Sequence, residues 1–439
     1  MASFATLFSS LILTIALLSF SCSSQQFFSP VEKDPATNLF STLLWVGTEP
    51  THEFNFVIDI GGPILWYDCN KSYNSSTYNP ISCESKLCTN DAGCTSCNGP
   101  FKPGCSNNTC GANIINPLVD AIFSGDTGSD ALFIPKSKIK VSDFISGCTD
   151  SNAFADSADS DFPLKNLPKT SKGILGLART PLSLPKQLSL APFKLLNKFA
   201  LCLPSSNQLG SLFIGGVPSN FAKFKLTTIP LIINPFSTAP IFTEGDASYE
   251  YFIDVKSIKV GGEVLSFKSS LLSIDNKGNG GTKLSTVKSF TVLHSSILKP
   301  LVRDFNKKAS DKKIKKVASV APFETCFDLS TIGKTNTGLD VPTIGLVLEG
   351  GVEWTIFGGN SMVLVSKNVA CLGFVDGGKE PRTAVVIGGH QLEDIVLEFD
   401  LVSSKLGFSS SLLLQNASCS NSNSVNKMVK SSENFISIE

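Results

Sequence analysis

Residues 54–69 read Phe-Asn-Phe-Val-Ile-Asp-Ile-Gly-Gly-Pro-Ile-Leu-Trp-Tyr-Asp-Cys, an apolar run that ends in Asp59, passes through two glycines and resumes as a second apolar run. Residues 281–293 read Gly-Thr-Lys-Leu-Ser-Thr-Val-Lys-Ser-Phe-Thr-Val-Leu and have the same rhythm, with Ser285 at the position that corresponds to Asp59. Short apolar runs interrupted by a turn predict a strand, a turn and a second strand. The chain therefore repeats one strand–turn–strand unit, once in each half.

A carboxylate in each of two such turns is the arrangement of the pepsin-like aspartic proteases, which this pattern resembles with one carboxylate missing. Two carboxyl groups about 3 Å apart share one proton, so that one acts as general base and the other as general acid. A lone Asp59 beside Ser285 cannot act as both the general base and the general acid. We expect its pKa to be near-normal. Asp254 and Asp275 are alternative positions for a second carboxylate, but Asp275 lies in a polar turn and not at the end of an apolar strand.

The residues around the two turns also depart from the protease pattern, in which the Asp is followed by a Thr or Ser hydroxyl and a Gly. The first turn, 59–62, carries no hydroxyl, and the second, 285–288, has Val287 in place of the Gly that lets two loops approach closely. We therefore expect both turns to have lost their supporting groups. The stretch that should form a hairpin over the cleft, 116–130, contains no Tyr, although pepsin-like enzymes usually carry one there.

Length and composition indicate a globular protein of about two domains. The chain has 439 residues, of which 42% are hydrophobic, and its 37 Lys and Arg balance its 37 Asp and Glu. This balance gives no reason to expect nucleic acid or membrane as a partner, and no motif indicates a cofactor or a metal. The apolar residues 7–20, followed by small residues, predict a secretory signal peptide over 1–24, with an N-terminal membrane anchor as the alternative.

The cysteine content favours an oxidising compartment. Removal of Cys22 with the signal peptide leaves an even set, which predicts six disulfides in a secreted chain: Cys69, Cys83, Cys88, Cys94, Cys97, Cys105, Cys110, Cys148, Cys202, Cys326, Cys371 and Cys419. Cys94 and Cys97 could instead bind zinc, but no His lies near them in the sequence. Four Asn-X-Ser/Thr sequons lie in polar stretches and predict surface glycosylation: Asn70, Asn74, Asn107 and Asn416.

Two apolar loops that contain glycine, 173–185 and 384–394, follow the two turns in the same order and complete each half. The second loop leads into 395–408, which predicts a hairpin of two strands joined by a Ser-Ser turn. These motifs predict an all-β-dominated, bilobal pepsin-like fold of two pseudo-symmetric β-lobes with few short helices. His390, inside the second loop, is interpreted as a structural residue and not as a catalytic base.

Prolines punctuate the chain near its middle and mark the predicted boundary between the lobes: Pro230, Pro235 and Pro240. We place the N-terminal lobe at 25–235 and the C-terminal lobe at 236–419. The polar residues 420–439 are predicted to form a mobile tail.

Together these motifs resemble a plant subgroup of pepsin-like proteins that contains the cereal xylanase inhibitors, the xyloglucan-specific endoglucanase inhibitor proteins, extracellular dermal glycoprotein and the basic globulins. The resemblance covers about residues 26–419, and its most specific stretches are 172–185, 251–262, 281–287, 357–362, 371–378 and 386–394. A Ser in place of the second Asp and twelve cysteines in the mature chain are traits of that group. Within the C-terminal lobe we expect the disulfide Cys326–Cys371.

The resemblance implies a secreted protein of the apoplast or cell wall that binds a microbial glycoside hydrolase and blocks its cleft, with xyloglucan-specific endo-β-1,4-glucanase as the favoured target. Family members that block such enzymes present Arg from C-lobe loops, and Arg382 occupies such a loop. A second cationic contact is expected in 332–340, where this chain offers Lys334 and Asn336. Cereal xylanase inhibitors use a His before their last Cys, and 412–419 has none, which argues against xylanase as the target.

Two other functions are alternatives: an aspartic-type endopeptidase with residual activity, and a storage or ligand-binding globulin whose cleft holds a ligand without cutting it. The inhibitor needs a protein-sized contact patch of ~800 Å² around Arg382. The ligand binder needs an open cleft near Asp59. In each case we expect a monomer.

Overall fold

The computed structural model of this chain is dominated by short β-strands. It describes residues 26–420 except 71, 89–92, 98, 152–161, 191, 222 and 240–245. The predicted signal peptide (1–24) and all but the first residue of the predicted tail (420–439) lie outside the described residues. Within the described part of the chain, no helix is both long enough and apolar enough to span a membrane.

Among the residues that the structure describes, the first half of the chain contains thirteen strands, one short α-helix, α1 (Leu184–Leu188), and short 3-10 turns. The strands are β1 (Phe27–Lys33), β2 (Phe40–Val46), β3 (His52–Asp59), β4 (Trp66–Asp68), β5 (Asn79–Pro80), β6 (Cys94–Thr95), β7 (Thr109–Asn116), β8 (Ala121–Ile134), β9 (Ile139–Thr149), β10 (Ser171–Gly176), β11 (Lys198–Cys202), β12 (Gly210–Ile214) and β13 (Thr227–Pro230).

In its described residues, the second half contains the remaining strands and three α-helices, α2 (Ser295–Asp311), α3 (Gly358–Ser361) and α4 (Gly389–Leu392). The strands are β14 (Phe252–Ile253), β15 (Val255–Val260), β16 (Glu263–Val264), β17 (Thr282–Leu284), β18 (Thr291–Leu293), β19 (Lys316–Val317), β20 (Cys326–Asp328), β21 (Lys334–Thr335), β22 (Gly338–Leu339), β23 (Ile344–Leu348), β24 (Glu353–Ile356), β25 (Met362–Leu364), β26 (Val369–Leu372), β27 (Phe374–Asp376), β28 (Val385–Ile387), β29 (Val396–Asp400) and β30 (Lys405–Phe408).

One sheet is shared by the two halves. The hairpin β29–β30 inserts between β13 and β11 of the first half. This is the hairpin that the sequence predicted from two strands joined by a Ser-Ser turn. β29 pairs with β11 from Lys198↔Asp400 to Cys202↔Val396, and β30 pairs with β13. The aromatic rings of Phe199 and Phe399 stack across this pairing at 4.5 Å between centroids. The end of the chain thus closes a sheet that its first half begins.

The helix α2 covers the sheets of the second half with one apolar face. Its buried residues recur at helical spacing: Ile297, Leu298, Leu301, Phe305 and Ala309. The side chain of His294 caps its N-terminus, because Nδ1 accepts a hydrogen bond from the backbone N–H of Ser296 at 2.9 Å. At 17 residues, α2 is about 25 Å long.

Six disulfides join the twelve cysteines of the described chain: Cys69–Cys148, Cys83–Cys94, Cys88–Cys110, Cys97–Cys105, Cys202–Cys419 and Cys326–Cys371. The prediction of six bridges and the specific prediction of Cys326–Cys371 are confirmed. Cys94 and Cys97 belong to two different disulfides. The zinc alternative at these residues is therefore wrong, because a sulfur in a disulfide is not a thiolate ligand.

Candidate functional site

Asp59 ends strand β3 in the first half, where β3 runs parallel to β10 and Asp59 lies opposite Gly176. The side chain is 6% exposed, and its Oδ1 accepts a hydrogen bond from the backbone N–H of Gly61 at 2.8 Å. A Cβ on Gly176 would lie 2.5 Å from the carbonyl oxygen of Gly62, so only glycine lets this turn pack against β10.

Ser285 holds the equivalent place in the second half. It directly follows β17, which runs parallel to β28 with Leu284 opposite Ile387. Its backbone N–H donates to the carbonyl of Ile387 at 2.9 Å, and its side chain is 6% exposed, as is that of Asp59. The two apolar loops predicted from the sequence thus perform the same task in each half, since each supplies the strand beside a turn.

The two turns are joined through the side chain of Thr286. Its hydroxyl donates to the carbonyl of Ile58 at 2.6 Å and accepts from the backbone N–H of Ile60 at 3.2 Å, and Thr286 is fully buried. The expectation that both turns have lost their supporting groups is wrong for the second turn. It holds for the first, because the corresponding residue there is Ile60, which has no hydroxyl to return the contact.

Burial raises the pKa of Asp59 to about 6. The hydrogen bond from Gly61 opposes this rise, the nearby carboxylate of Glu250 adds to it, and Lys283 and Lys288 oppose it. The expectation of a near-normal pKa for a lone Asp59 is therefore wrong. The residue has no second aspartate to share its proton, but removal from water alone favours its neutral form.

An ion pair that the motif analysis missed lies beside Asp59. Lys283 Nζ donates to both carboxylate oxygens of Glu250 at 2.8 and 2.9 Å, and the hydroxyl of Thr238 also donates to this carboxylate. Both members of the pair are about five-sixths buried, with 15% and 16% of their side chains exposed. The signal in the sequence was Lys283 itself, a charged residue two positions before Ser285 inside an apolar strand.

The segment that carries Glu250 is held by the loop after β10. The guanidinium of Arg179 donates to the carbonyl of Glu250 and lies over the ring of Tyr251, 5.5 Å from its centroid. The hydroxyl of Tyr251 donates to the carbonyl of Leu177 at 2.7 Å. These contacts hold residues 250–251, at the start of the second half, against the loop that follows β10. Glu250 is thereby placed beside Asp59.

The hairpin β7–β8 lies where the sequence predicted it, and its turn, 117–120, contains no Tyr. Val287, which replaces a Gly in the second turn, is buried in an apolar cluster with residues of the first half. That cluster consists of Leu39, Val57, Trp66, Ala112, Ile114, Phe123, Leu167 and Ile174, with Leu118, Ala121 and Leu164 packed against it. The side chain of Val287 therefore ties the second turn to the hairpin through continuous apolar packing.

Neither alternative aspartate takes the place of a second catalytic carboxylate. Asp275 accepts hydrogen bonds from the backbone N–H groups of Lys277 and Asn279 at 2.8 Å in an exposed turn, and these lower its pKa. Asp254 pairs with Lys256 at 2.7 Å on the surface. In the described structure the position opposite Asp59 belongs to Ser285.

The predicted contact residues lie in two different loops, each of which contacts one end of α2. At the N-terminal end of α2, the backbone N–H of Ser295 donates to the carbonyl of Gly378, in the loop that carries Arg382. At the other end, Lys312 pairs with Asp340 at 2.5 Å, beside the exposed hairpin that carries Lys334 and Asn336.

The helix length therefore separates the anchors of the two loops by about 25 Å. Arg382 is half-buried, and its backbone carbonyl accepts from the N–H of Gly280 at 2.9 Å.

His390 makes only structural contacts among the described residues. Its Nδ1 lies 3.2 Å from Glu393, and its Nε2 lies 3.1 Å from the carbonyl of Met362. Glu393 is almost fully buried and also pairs with Lys33 of β1 at 2.7 Å, so this group links the two halves. In the residues that the structure describes, no group of three or more His, Cys, Asp or Glu side chains could hold a metal ion.

Three of the four sequon asparagines are exposed: Asn74, Asn107 and Asn416. Asn70 is half-buried, since its amide donates to Asp68 at 3.0 Å and its oxygen accepts from Ser72. Glycosylation at all four remains a prediction.

Two family models match the chain. The model described as xylanase inhibitor N-terminal matches residues 40–216, and the one described as xylanase inhibitor C-terminal matches residues 250–410. Together they cover most of the described structure, one in each half.

Curated relatives match nearly the whole chain. A probable aspartic proteinase GIP2 of Nicotiana benthamiana is 43% identical over 412 residues, covering 90% of this chain and 91% of that protein. Gamma conglutin 1 of Prunus dulcis is 37% identical over 406 residues, covering 90% of this chain and 88% of that protein.

Solved structures agree with the fold. The crystal structure of edgp has a TM-score of 0.84 at 39% identity, covering 91% of this chain and 98% of that one. An aspartic proteinase from Irpex lacteus has a TM-score of 0.57 at 14% identity, covering 90% of this chain and 100% of that one, and this likeness concerns the fold alone. The prediction of a bilobal pepsin-like fold is confirmed.

Proposed function

This chain belongs to the family defined by the xylanase inhibitor N-terminal and C-terminal models, and from that premise we propose that it is a secreted inhibitor of glycoside hydrolases without protease activity of its own. Its six disulfides suit an oxidising, extracellular compartment such as the apoplast. We propose that it acts as a monomer and that its target is a microbial xyloglucan-specific endo-β-1,4-glucanase.

The proposal that the chain does not cleave proteins rests on the position of Ser285. Ser285 follows a strand that pairs in parallel with its neighbour, as Asp59 does in the first half, yet Ser285 has no carboxyl group to share a proton. The carboxyl group of Asp59 has a pKa of about 6 because it is buried. One such group can donate or accept a proton, but it cannot activate water and protonate the leaving group in the same step.

Inhibition is proposed through the loops at the two ends of α2. Retaining endoglucanases cleave with two carboxylates about 5 Å apart in an open groove. A guanidinium can meet such a pair with two charge-assisted hydrogen bonds, which suits Arg382. A typical interface covers ~800 Å² on each partner, which is wide enough to include both Arg382 and the hairpin of Lys334 and Asn336.

A ligand-binding globulin is the second candidate, because gamma conglutin 1 of Prunus dulcis lies among the relatives. That function needs an open cleft at Asp59. Asp59, Ser285 and Val287 are all buried, and Val287 belongs to an apolar cluster that includes residues of the hairpin β7–β8; both observations disfavour a spacious binding site there. An endopeptidase with residual activity, which the name of the Nicotiana benthamiana relative suggests, is disfavoured by Ser285.

The test is a titration of a fungal xyloglucan-specific endoglucanase with the wild-type protein, Arg382→Ala and the control Arg303→Ala. We expect inhibition by the wild type and the control, and a loss of more than about tenfold in affinity for Arg382→Ala, as for a central interface arginine. Lys334→Ala should cost less, because a single exposed lysine contributes modestly. Casein digestion at acidic pH, with and without pepstatin, is run on the same samples.

No inhibition by micromolar wild-type protein would reject this target, and equal inhibition by Arg382→Ala would reject the contact loop. Pepstatin-sensitive casein cleavage by the wild type would overturn the proposal that the chain is not a protease.

A further inference from the structure

The exposed face of α2 and the segment that follows it concentrate positive charge. Residues 299–316 contain eight Lys and Arg against two Asp, a net charge of +6 in a chain whose total formal charge is zero. Such a segregation of charge creates a local positive potential that the whole-chain balance conceals.

The cations on the helix itself form a row. Lys299, Arg303 and Lys307 follow one another at intervals of four residues, and all three are exposed. Successive members therefore lie about 6 Å apart along the axis and within one face of the helix. The row continues past the end of the helix into a second group, which is exposed as well: Lys312, Lys313, Lys315 and Lys316.

Local acids neutralise only part of this charge. Arg303 pairs with Asp304 at 2.6 Å, Lys308 with Glu263 at 2.8 Å, and Lys312 with Asp340 at 2.5 Å. In the part of the chain that the structure describes, Lys299, Lys307, Lys313, Lys315 and Lys316 form no direct ion pair. Acids interact at longer range with three of them: Asp376 with Lys299, Glu263 and Asp304 with Lys307, and Asp328 with Lys315. The row therefore presents cations to solvent over most of its length.

The row serves no purpose in packing. The opposite face of α2 is fully committed to the core through Leu298, Leu301 and Phe305, all at most 1% exposed. An amphipathic helix that binds a membrane surface needs its apolar face free to enter the lipid, and here that face is buried. What remains available is a row of charge that spans about 12 Å of the helix axis, from Lys299 to Lys307.

We propose that this face of α2 binds a linear acidic polysaccharide, a chain of uronic acids whose carboxylates recur along its length. A row of evenly spaced cations matches a linear polyanion, whose repeated charges it can meet one after another. The six disulfides argue for an oxidising compartment, where acidic polysaccharides are available and intracellular nucleic acids are not. The proposal does not depend on hydrolase inhibition.

The test measures binding of the intact purified protein to polygalacturonate, a linear polyuronate, with neutral dextran as the reference polymer. The row variant is Lys299→Gln, Arg303→Gln and Lys307→Gln combined. The control combines Lys136→Gln, Lys169→Gln and Lys225→Gln, which removes the same charge from exposed residues elsewhere. Circular dichroism verifies that both variants fold.

We expect the wild type to bind polygalacturonate but not dextran. Binding should weaken as salt is added, because binding releases counterions from the polyanion and added salt opposes that release. The row variant should lose about tenfold in affinity at low ionic strength, through the combined loss of three exposed charges, and should show a shallower dependence on salt. The control variant should change less than about twofold.

Equal losses in the two variants would overturn the proposal, since they would reflect net charge and not the row. So would the absence of polygalacturonate binding by the wild type. Tighter binding to an acidic globular protein, serum albumin, than to polygalacturonate would assign the face to a protein partner and would also overturn it.

Discussion

Lys283 and Glu250 form a bidentate ion pair, with Nζ donating to both carboxylate oxygens, that brings two opposite charges beside the buried Asp59. Lys283 belongs to the strand that leads into the second turn, whereas Glu250 lies where the chain enters its second half. The carboxylate of Glu250, whose charge Lys283 neutralises, thus lies next to Asp59, and burial already favours the neutral form of Asp59.

Removal of Lys283 alone should destabilise the protein, because Glu250 would remain buried without its partner. We expect Lys283→Met to lower the free energy of unfolding by about 3 kcal/mol, measured by urea denaturation. The matched control Lys256→Met removes a solvent-exposed pair with Asp254 and should change stability far less, because water screens that pair. The double variant with Glu250→Gln should regain most of the loss, and a double variant as unstable as Lys283→Met would contradict this explanation.

The raised pKa of Asp59 predicts a specific dependence of stability on pH. In the folded state Asp59 keeps its proton up to about pH 6, whereas in the unfolded state its pKa has the ordinary value of 3.8, so between these two values folding binds a proton. Stability therefore falls as pH rises from about 4 to about 6, and the loss amounts to about 3 kcal/mol above this window.

Asp59→Asn removes this titration and keeps the shape of the side chain. The difference in unfolding free energy between wild type and Asp59→Asn should shift in favour of the variant across the window from about pH 4 to about pH 6. Urea denaturation at several pH values measures it. A difference that stays constant with pH would show that Asp59 titrates alike in the folded and unfolded states.

Thr286 is expected to matter more than Ser285 for stability. Thr286→Val leaves the carbonyl of Ile58 and the N–H of Ile60 without this partner in a buried place, and should cost about 2 kcal/mol. Ser285→Ala removes only a long contact of 3.3 Å from the N–H of Lys288, and should cost less than about 1 kcal/mol. Thermal unfolding of both variants ranks the two, and a reversed order would refute the role given to Thr286.

Val287 should hold the hairpin β7–β8 against the second turn. Val287→Ala opens a small cavity in the shared cluster and should lower stability by about 2 kcal/mol. Hydrogen exchange measured by mass spectrometry should show faster exchange in peptides from the hairpin. Val292→Ala, on a half-buried side chain of β18, serves as the control, and equal acceleration of the hairpin in both variants would argue against a specific contact.

The sequence predicts those features of the fold that depend on residues close together in the chain. The turns at Asp59 and Ser285, their companion loops and the last hairpin each combine an apolar run with a turn, and each appears as predicted. The lobe boundaries and the contact roles of Arg382, Lys334 and Asn336 remain predictions.

What the sequence did not disclose depends on residues far apart in the chain. The hydroxyl of Thr286 acts on residues 226 and 228 positions away, so its role could not be read from its own turn. Likewise, the pKa of Asp59 is set by burial, which arises only when both halves fold together. The row on α2 was hidden for another reason, because a charge total of zero says nothing about where the charges lie.

The disulfide Cys202–Cys419 spans 217 residues and fastens strand β11 to the end of the described chain. Any single cut in the polypeptide between these two cysteines would leave two fragments that remain one covalent molecule. A protease that nicks an exposed loop in this interval would therefore release no separate piece until the bridge is reduced. In a compartment where microbes secrete proteases, the architecture would tolerate a broken backbone while keeping its parts assembled.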